Sequence, residues 1–179
     1  MGIGGIGSAA VQGAVYAGAR AVIAVDPVEF KREKALEFGA THAFADIAEA
    51  TAFAQSITNG QGADATIVSV GVLQPEYIGQ AMASIRKAGT VVVPALGNAR
   101  DVGVPIRMSE VTLYQKRLQG SLYGQSNPQF DIPNLLRMYQ AGKLKLDEMV
   151  TTTYELGDIA QAYDDMHAGK NIRGMVVFD

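Results

Sequence analysis

Gly2-Ile3-Gly4-Gly5-Ile6-Gly7 is the stretch that decides the fold of this chain. It satisfies G-x-G-x-x-G, and the residues behind it, Ser8 to Ala17, are small and helix-compatible. A glycine at the first place permits a tight turn. The second lets a pyrophosphate approach the backbone, and the third lets helix and strand pack closely. The N-terminus of the following helix offers free N–H groups and the positive end of its dipole to phosphate. Taken alone the motif is weak. It gains support from Asp26, which closes the next apolar run, Ala21 to Val25, at 26 − 7 = 19 residues beyond Gly7. That is the expected place for an acid that binds the adenosine ribose hydroxyls and repels a 2′-phosphate. The plainer alternative is a simple strand-to-helix turn in which Asp26 caps the next helix.

Outward from the motif, strands and helices alternate. Ala21 to Val25 is continuously apolar, the pattern of a strand buried on both faces of a parallel sheet. A helix is expected over Pro27 to Phe38, a short strand over Ala43 to Ala45, and a helix over Ile47 to Ile57. Then follow a strand over Thr66 to Val70, a helix over Pro75 to Lys87, and a strand over Val91 to Val93. This spacing of βαβ units implies a doubly wound parallel α/β sheet, Rossmann-like in its glycine turn. Beyond residue 97 the rhythm changes. A short helix is expected from Ser109 to Lys116, and a strand from Leu118 to Tyr123. A helix capped by Asp131 follows, then a strand from Val150 to Tyr154, a helix from Gly157 to Ala168, and a closing strand from Met175 to Phe178. The boundary falls near 123–127. It divides a dinucleotide-binding domain, 1–122, from a C-terminal segment, 123–179.

Only Met1 precedes the glycine run, although such a run follows a strand. The absent strand is the first and central one. Without it, two inner edges of the sheet are left unpaired. The expectation is therefore a fragment, or a start assigned too late, that binds cofactor weakly and dissolves poorly by itself.

Composition narrows the function. The 179 residues contain no Cys and no Trp, only two His, and 15 Lys+Arg against 18 Asp+Glu, a net charge of −3. Zero Cys excludes disulfides, thiolate nucleophiles and Cys-based metal sites from this stretch. The acidic balance argues against nucleic-acid binding. The most apolar stretch, Ala9 to Val25, is broken by Gln12, Gly13, Gly18 and Arg20, so no membrane span or secretory leader is expected. A cytoplasmic protein is the default.

GIGGIG, VDPVEFKREKALEFGATH, GADATIVSVG, AGTVVVPALG and GKNIRGMVVFD together resemble the C-terminal half of medium-chain, zinc-dependent alcohol dehydrogenases. The second of these is most similar to the actinobacterial enzymes assayed with nitrosodimethylaniline. The resemblance implies NAD as cofactor, an alcohol or aldehyde as substrate, and a fold in which residues 123–179 return to a GroES-like catalytic domain. It implies that the backbone of Gly4, Gly5 and Ile6 meets the pyrophosphate, inside a cofactor-binding run that also includes Gly2 and Gly7, with Arg173 reaching the pyrophosphate too. Asp26 and Lys31 would bind the adenosine ribose, and Val70 and Gly71 would line the crevice. Pro94, Leu96, Ser121 and Tyr123 would frame the nicotinamide. It further implies a homo-oligomer, a dimer paired through strand 118–122. Zinc is expected only in the N-terminal half, whose Cys and His ligands this sequence does not contain. Each residue has a plainer alternative: a solvated Lys31, an Arg173 paired with Asp164 or Asp165, a Tyr123 packed in the core. His42 reads as a surface residue and His167 as a favourable helix C-terminal residue. No catalytic acid, base or nucleophile is assigned.

Two other classes fit the same glycine run: a zinc-free reductase of the quinone reductase type, and a non-catalytic nucleotide-binding module. Upstream sequence separates them. A GroES-like region with zinc ligands selects the alcohol dehydrogenase, and the same region without them selects the reductase. A true start at Met1 selects the module. The expectation for the purified 179-residue chain is no alcohol oxidation with or without added zinc; zinc-dependent turnover in a spectrophotometric assay would contradict it.

Overall fold

The computed structural model describes residues 1–178. Asp179, the last residue of the expected C-terminal segment, lies outside the described residues. The elements run α1 (Gly5–Tyr16), β1 (Ile23–Val25), α2 (Glu29–Glu37), β2 (His42–Phe44), α3 (Ile47–Ser56), β3 (Ala63–Ile67), α4 (Pro75–Ser84) and β4 (Ile85–Val93). They continue with α5 (Met108–Thr112), β5 (Arg117–Gly120), α6 (Pro128–Gln140), β6 (Val150–Glu155), α7 (Ile159–His167) and β7 (Arg173–Val177). Every strand pair is parallel: β1 with β2, β3 with β4 and β4 with β5, and, in the C-terminal segment, β6 with β7.

The fold is a Rossmann-like parallel α/β arrangement with its sheet split between β1 and β3. The connection from β1 to β2 runs away from the split, and the connection from β2 to β3 crosses it. Right-handed crossovers in opposite directions put their helices on opposite faces. Accordingly α1 packs beside α2, and α3 beside α4. The apolar core divides likewise. Ile3, Val11, Val22, Ala24, Ala35 and Phe38 fill one half. Val68, Ile78, Ala81, Met82, Ile85 and Val91 fill the other.

Met1 to Ile3 stitch the halves together. The Met1 ammonium donates to the Ile67 carbonyl at 2.8 Å, and the Ser69 N–H donates to the Met1 carbonyl at 2.8 Å. This is the hydrogen-bond pattern of a parallel ladder, with Met1 opposite Val68. On the other flank the Gly2 N–H donates to the Val25 carbonyl at 2.8 Å. Burial pushes the Met1 amino group down to about 6, against the opposing pull of the Asp26 charge.

Several boundaries differ from the sequence expectation. Helix α4 stops at Ser84, three residues early, because Ile85 turns extended (ψ 151) and buries in the core. Tertiary burial here outweighs helix propensity. Strand β3 spans Ala63–Ile67 rather than 66–70, since Ser69 is drawn to Met1. Helix α5 is capped at Arg107, not Ser109. Helix α6 begins one turn earlier than expected, with Asn127 at the cap and Pro133 inside the helix. Asp131 instead accepts the Asn127 N–H at 2.7 Å.

A side-chain clamp joins α1 to the C-terminal segment. The buried Gln12 amide accepts the Lys145 N–H at 2.7 Å and donates to the Lys145 carbonyl at 3.3 Å. Gln12→Ala strands both backbone groups and is expected to cost about 1–3 kcal/mol. Urea unfolding measures it; a change within a few tenths of a kcal/mol would contradict the clamp.

Candidate functional site

The sequence-predicted residues collect along one crest, at the C-terminal ends of the strands. Asp26 follows β1, Val70 and Gly71 follow β3, Pro94 and Leu96 follow β4, and Ser121 follows β5. In open parallel sheets this is where ligands bind. The glycine loop stands at the same end, directly against Val70: a Cβ placed on Gly2 would lie 2.8 Å from Val70 Cα. Gly2 also has φ +82, in the left-handed region that favours glycine.

Gly4 caps α1, and a Cβ on it would meet nothing within 4 Å. The helix start is thus open at Gly4, and no side chain caps the N–H groups of its first turn. Gly7 is the opposite case. A Cβ there would fall inside the Gly2 carbonyl, so this glycine is required by the close return of the helix onto the loop. Beside the helix start lies Arg173, whose guanidinium carbon would be 2.9 Å from a Cβ on Gly5. Arg173 pairs with neither Asp164 nor Asp165 among the described residues, and Asp165 binds Lys170 at 2.8 Å instead.

Asp26 is 4% exposed. One carboxylate oxygen accepts the Ile3 N–H at 2.7 Å and the other accepts the Val28 N–H at 2.9 Å. Because Val28 is itself the cap of α2, Asp26 is not merely that helix's cap. A carboxylate offers about four acceptor positions, so about two remain for hydroxyl donors. Lys31 lies in α2, and its terminal nitrogen approaches the Gly169 turn behind α7, 3.5 Å from where a Cβ of Gly169 would stand.

On the far side, the Ser121 N–H donates to the Val93 carbonyl at 3.0 Å, which fixes Ser121 beside Pro94. Leu96 is 79% exposed, and its carbonyl is already taken by the Leu73 N–H at 2.9 Å. Pro94 has no N–H to give. Tyr123 is 85% exposed, so it is not core packing. Two contributors carried no sequence signal. Ser69 Oγ donates to the Met1 and Gly2 carbonyls at 3.0 and 2.8 Å, and Arg32 donates to the Asp26 and Pro27 carbonyls at 2.9 and 2.8 Å. Their partners are main-chain oxygens, which no residue pattern announces.

His42 stacks on Phe53 with centroids 4.1 Å apart, and His167 lies in the last turn of α7. Among the described residues no group of three or more His, Cys, Asp or Glu side chains is placed to hold a metal ion. No helix among them is long and apolar enough to cross a membrane.

A glycine loop, a helix start without a side-chain cap and a buried carboxylate at the end of β1, all on a parallel α/β fold, are the features of a dinucleotide-binding protein. The family model described as "Zinc-binding dehydrogenase" matches residues 5–141, and the chain belongs to that family. It is 51% identical over 176 residues to the NDMA-dependent alcohol dehydrogenase of Amycolatopsis methanolica, covering 98% of this chain and 47% of that protein. It is 48% identical to alcohol dehydrogenase B of Mycobacterium tuberculosis, with the same coverage. The benzyl alcohol dehydrogenase of Acinetobacter calcoaceticus superposes with a TM-score of 0.89 at 28% identity, over 99% of this chain and 48% of that one. The chain spans about half the length of the curated relatives it matches.

The loop geometry separates two glycines by experiment. Gly7→Ala is expected to destabilise the fold by more than about 2 kcal/mol, while Gly4→Ala leaves thermal stability nearly unchanged. Equal effects in a melting experiment would contradict the assigned contacts.

Proposed function

We propose that this chain is the NAD(H)-binding portion of an oxidoreductase that moves a hydride between an alcohol or aldehyde and the nicotinamide. The observation that carries the reading is the Asp26 carboxylate, held by the Ile3 and Val28 amides at the mouth of the glycine loop. The bound cofactor supplies the hydride chemistry; the residues of this chain bind and orient.

The roles follow the geometry. The free N–H groups of Gly4, Gly5 and Ile6, backed by the helix dipole, receive the pyrophosphate. Arg173 adds a fixed positive charge at the same helix start. Asp26 takes the ribose hydroxyls, and its negative charge disfavours a 2′-phosphate. Lys31, whose nitrogen stands at the Gly169 turn, is assigned as a second ribose contact on the resemblance alone, and Val70 and Gly71 form the crevice wall. The strand ends at Pro94, Leu96, Ser121 and Tyr123 frame the carboxamide, with Ser121 held by Val93. Pro94 lacks an N–H but keeps its carbonyl, so that carbonyl, with the polar groups of Ser121 and Tyr123, is available to the carboxamide.

The family's zinc does not fit the residues present, which include no Cys and no cluster of ligands among the described residues. We assign it, with its Lewis-acid role on the substrate oxygen, to the rest of the protein. Residues 123–179 are assigned to the catalytic domain. Their parallel pair β6–β7 stands apart from the main sheet, and α7 exposes Ile159, Tyr163 and Met166. We place the protein in the cytoplasm as a homo-oligomer joined through 118–122. Strand β5 is an outer edge whose residues are all exposed, and Leu118 and Leu122 accompany it.

Binding tests the cofactor reading. With no Trp in the chain, NADH emission can be followed without indole background. NADH is expected to bind at least about tenfold more tightly than NADPH, a difference of about 1.4 kcal/mol, and Asp26→Asn is expected to erase the preference. Equal affinities in the parent chain, or an undiminished preference in the variant, would contradict it.

A further inference from the structure

Arg173 opens β7 and sends its guanidinium to the start of α1, where a Cβ on Gly5 would lie 2.9 Å from the guanidinium carbon. The residue itself is exposed. An unrestrained arginine carries about 2 kcal/mol of rotamer entropy, so a long exposed side chain keeps its aim best when its root is fixed. Four neighbours of Arg173 in the run 170–174 are each engaged by a side chain of β6 or α7. The Lys170 ammonium donates to Asp165 Oδ1 at 2.8 Å, and Gln161 Nε2 donates to the same oxygen at 2.9 Å. These two donors hold the Asp165 carboxyl below the usual carboxylate range. The Asn171 amide donates to the Tyr154 hydroxyl at 3.1 Å, and that hydroxyl donates to Asp165 Oδ2 at 3.0 Å. The Ile172 N–H donates to Thr151 Oγ1 at 3.0 Å. Gly174 lies against the Tyr154 ring, since a Cβ on it would stand 2.9 Å from Cε2.

The pairing of β6 with β7 slips at the same place. Val150 stands opposite Arg173 and Thr152 opposite Gly174, so β6 carries one residue, Thr151, more than β7. An extra residue of this kind bends its strand and re-aims the side chains beside it. Its hydroxyl is the group that takes the Ile172 N–H. Asn171 and Tyr154 are buried, at 6% and 9% exposure. For stability alone, apolar groups of the same shape would serve nearly as well. Directional bonds in a satisfied buried network instead rigidify one geometry. The geometry fixed here is that of the backbone on either side of Arg173.

We propose that Tyr154, Asp165 and Asn171 are positioning residues for cofactor binding: their bonds set the segment 170–174 on β6 and α7 so that Arg173 meets the pyrophosphate. This rests on the pyrophosphate role given to Arg173 above, and the variants below separate the two.

The test is isothermal titration of the full chain and its variants with NADH and with adenosine, which has the base and ribose but no phosphate. Arg173→Gln is expected to weaken NADH at least about tenfold, the loss of a hydrogen bond between charged groups, and to leave adenosine within about twofold. Tyr154→Phe keeps the ring against Gly174 and deletes both hydroxyl bonds. It is expected to weaken NADH at least about fivefold and to leave adenosine within about twofold. Asn171→Leu keeps the shape and removes the donor to Tyr154; it is expected to act in the same direction, and it decides should Tyr154→Phe fail to fold. Added to Arg173→Gln, Tyr154→Phe is expected to cost nothing further, a coupling that a merely structural role does not produce. Undiminished NADH affinity in Arg173→Gln overturns the pyrophosphate role, and the positioning role with it. A loss in Arg173→Gln beside undiminished affinity in Tyr154→Phe and Asn171→Leu overturns the positioning role alone. Equal losses of NADH and adenosine in Tyr154→Phe, or losses that add in the double variant, overturn it as well.

Discussion

The Ile3 N–H held on the Asp26 carboxylate is the contact on which the arrangement depends. It is a buried bond of 2.7 Å to a charged acceptor, a kind worth about 1.5–3 kcal/mol. Its larger consequence is geometric. Asp26 ends β1, and Ile3 lies within the glycine loop, so the bond fixes the loop to the end of that strand. Helix α1 begins two residues later and can only project its N-terminus over the crest. From the opposite side Ser69 grips the Met1 and Gly2 carbonyls. The run Gly2–Gly7, four of its six residues glycine and its last three already in α1, is thereby held from both half-sheets.

The same loop bridges the two halves of the sheet. Two apolar cores, one around Phe38 and one around Met82, share no strand. What joins them is the Met1–Ile3 segment and the crossover through α3.

Much of this was legible in the residues. The glycine run and Asp26 set the loop and the strand after it, and the alternation of apolar runs with capped helices set the parallel topology. Met1 standing alone before the glycines implied the unpaired inner edges. Legibility failed where tertiary contacts decide. Ile85 is a good helix residue that the core claims for a strand, and Asp131 is a good cap that serves the turn before it. Ser69 and Arg32 act on carbonyl oxygens, and Lys31 is directed toward a turn 138 residues away (169 − 31). Such contacts have no local signature. The resemblance gave their neighbours roles that composition and spacing alone do not.

The central claim is that a dinucleotide lies across the crest, with its pyrophosphate on the start of α1 and its ribose on Asp26. Backbone amide chemical-shift mapping during an NADH titration tests this most directly. The account predicts shifts concentrated at Gly2 to Gly7, Asp26 to Val28, Val70 to Gly71 and Ser121. Shifts confined to α6, with the glycine loop unmoved, would contradict it.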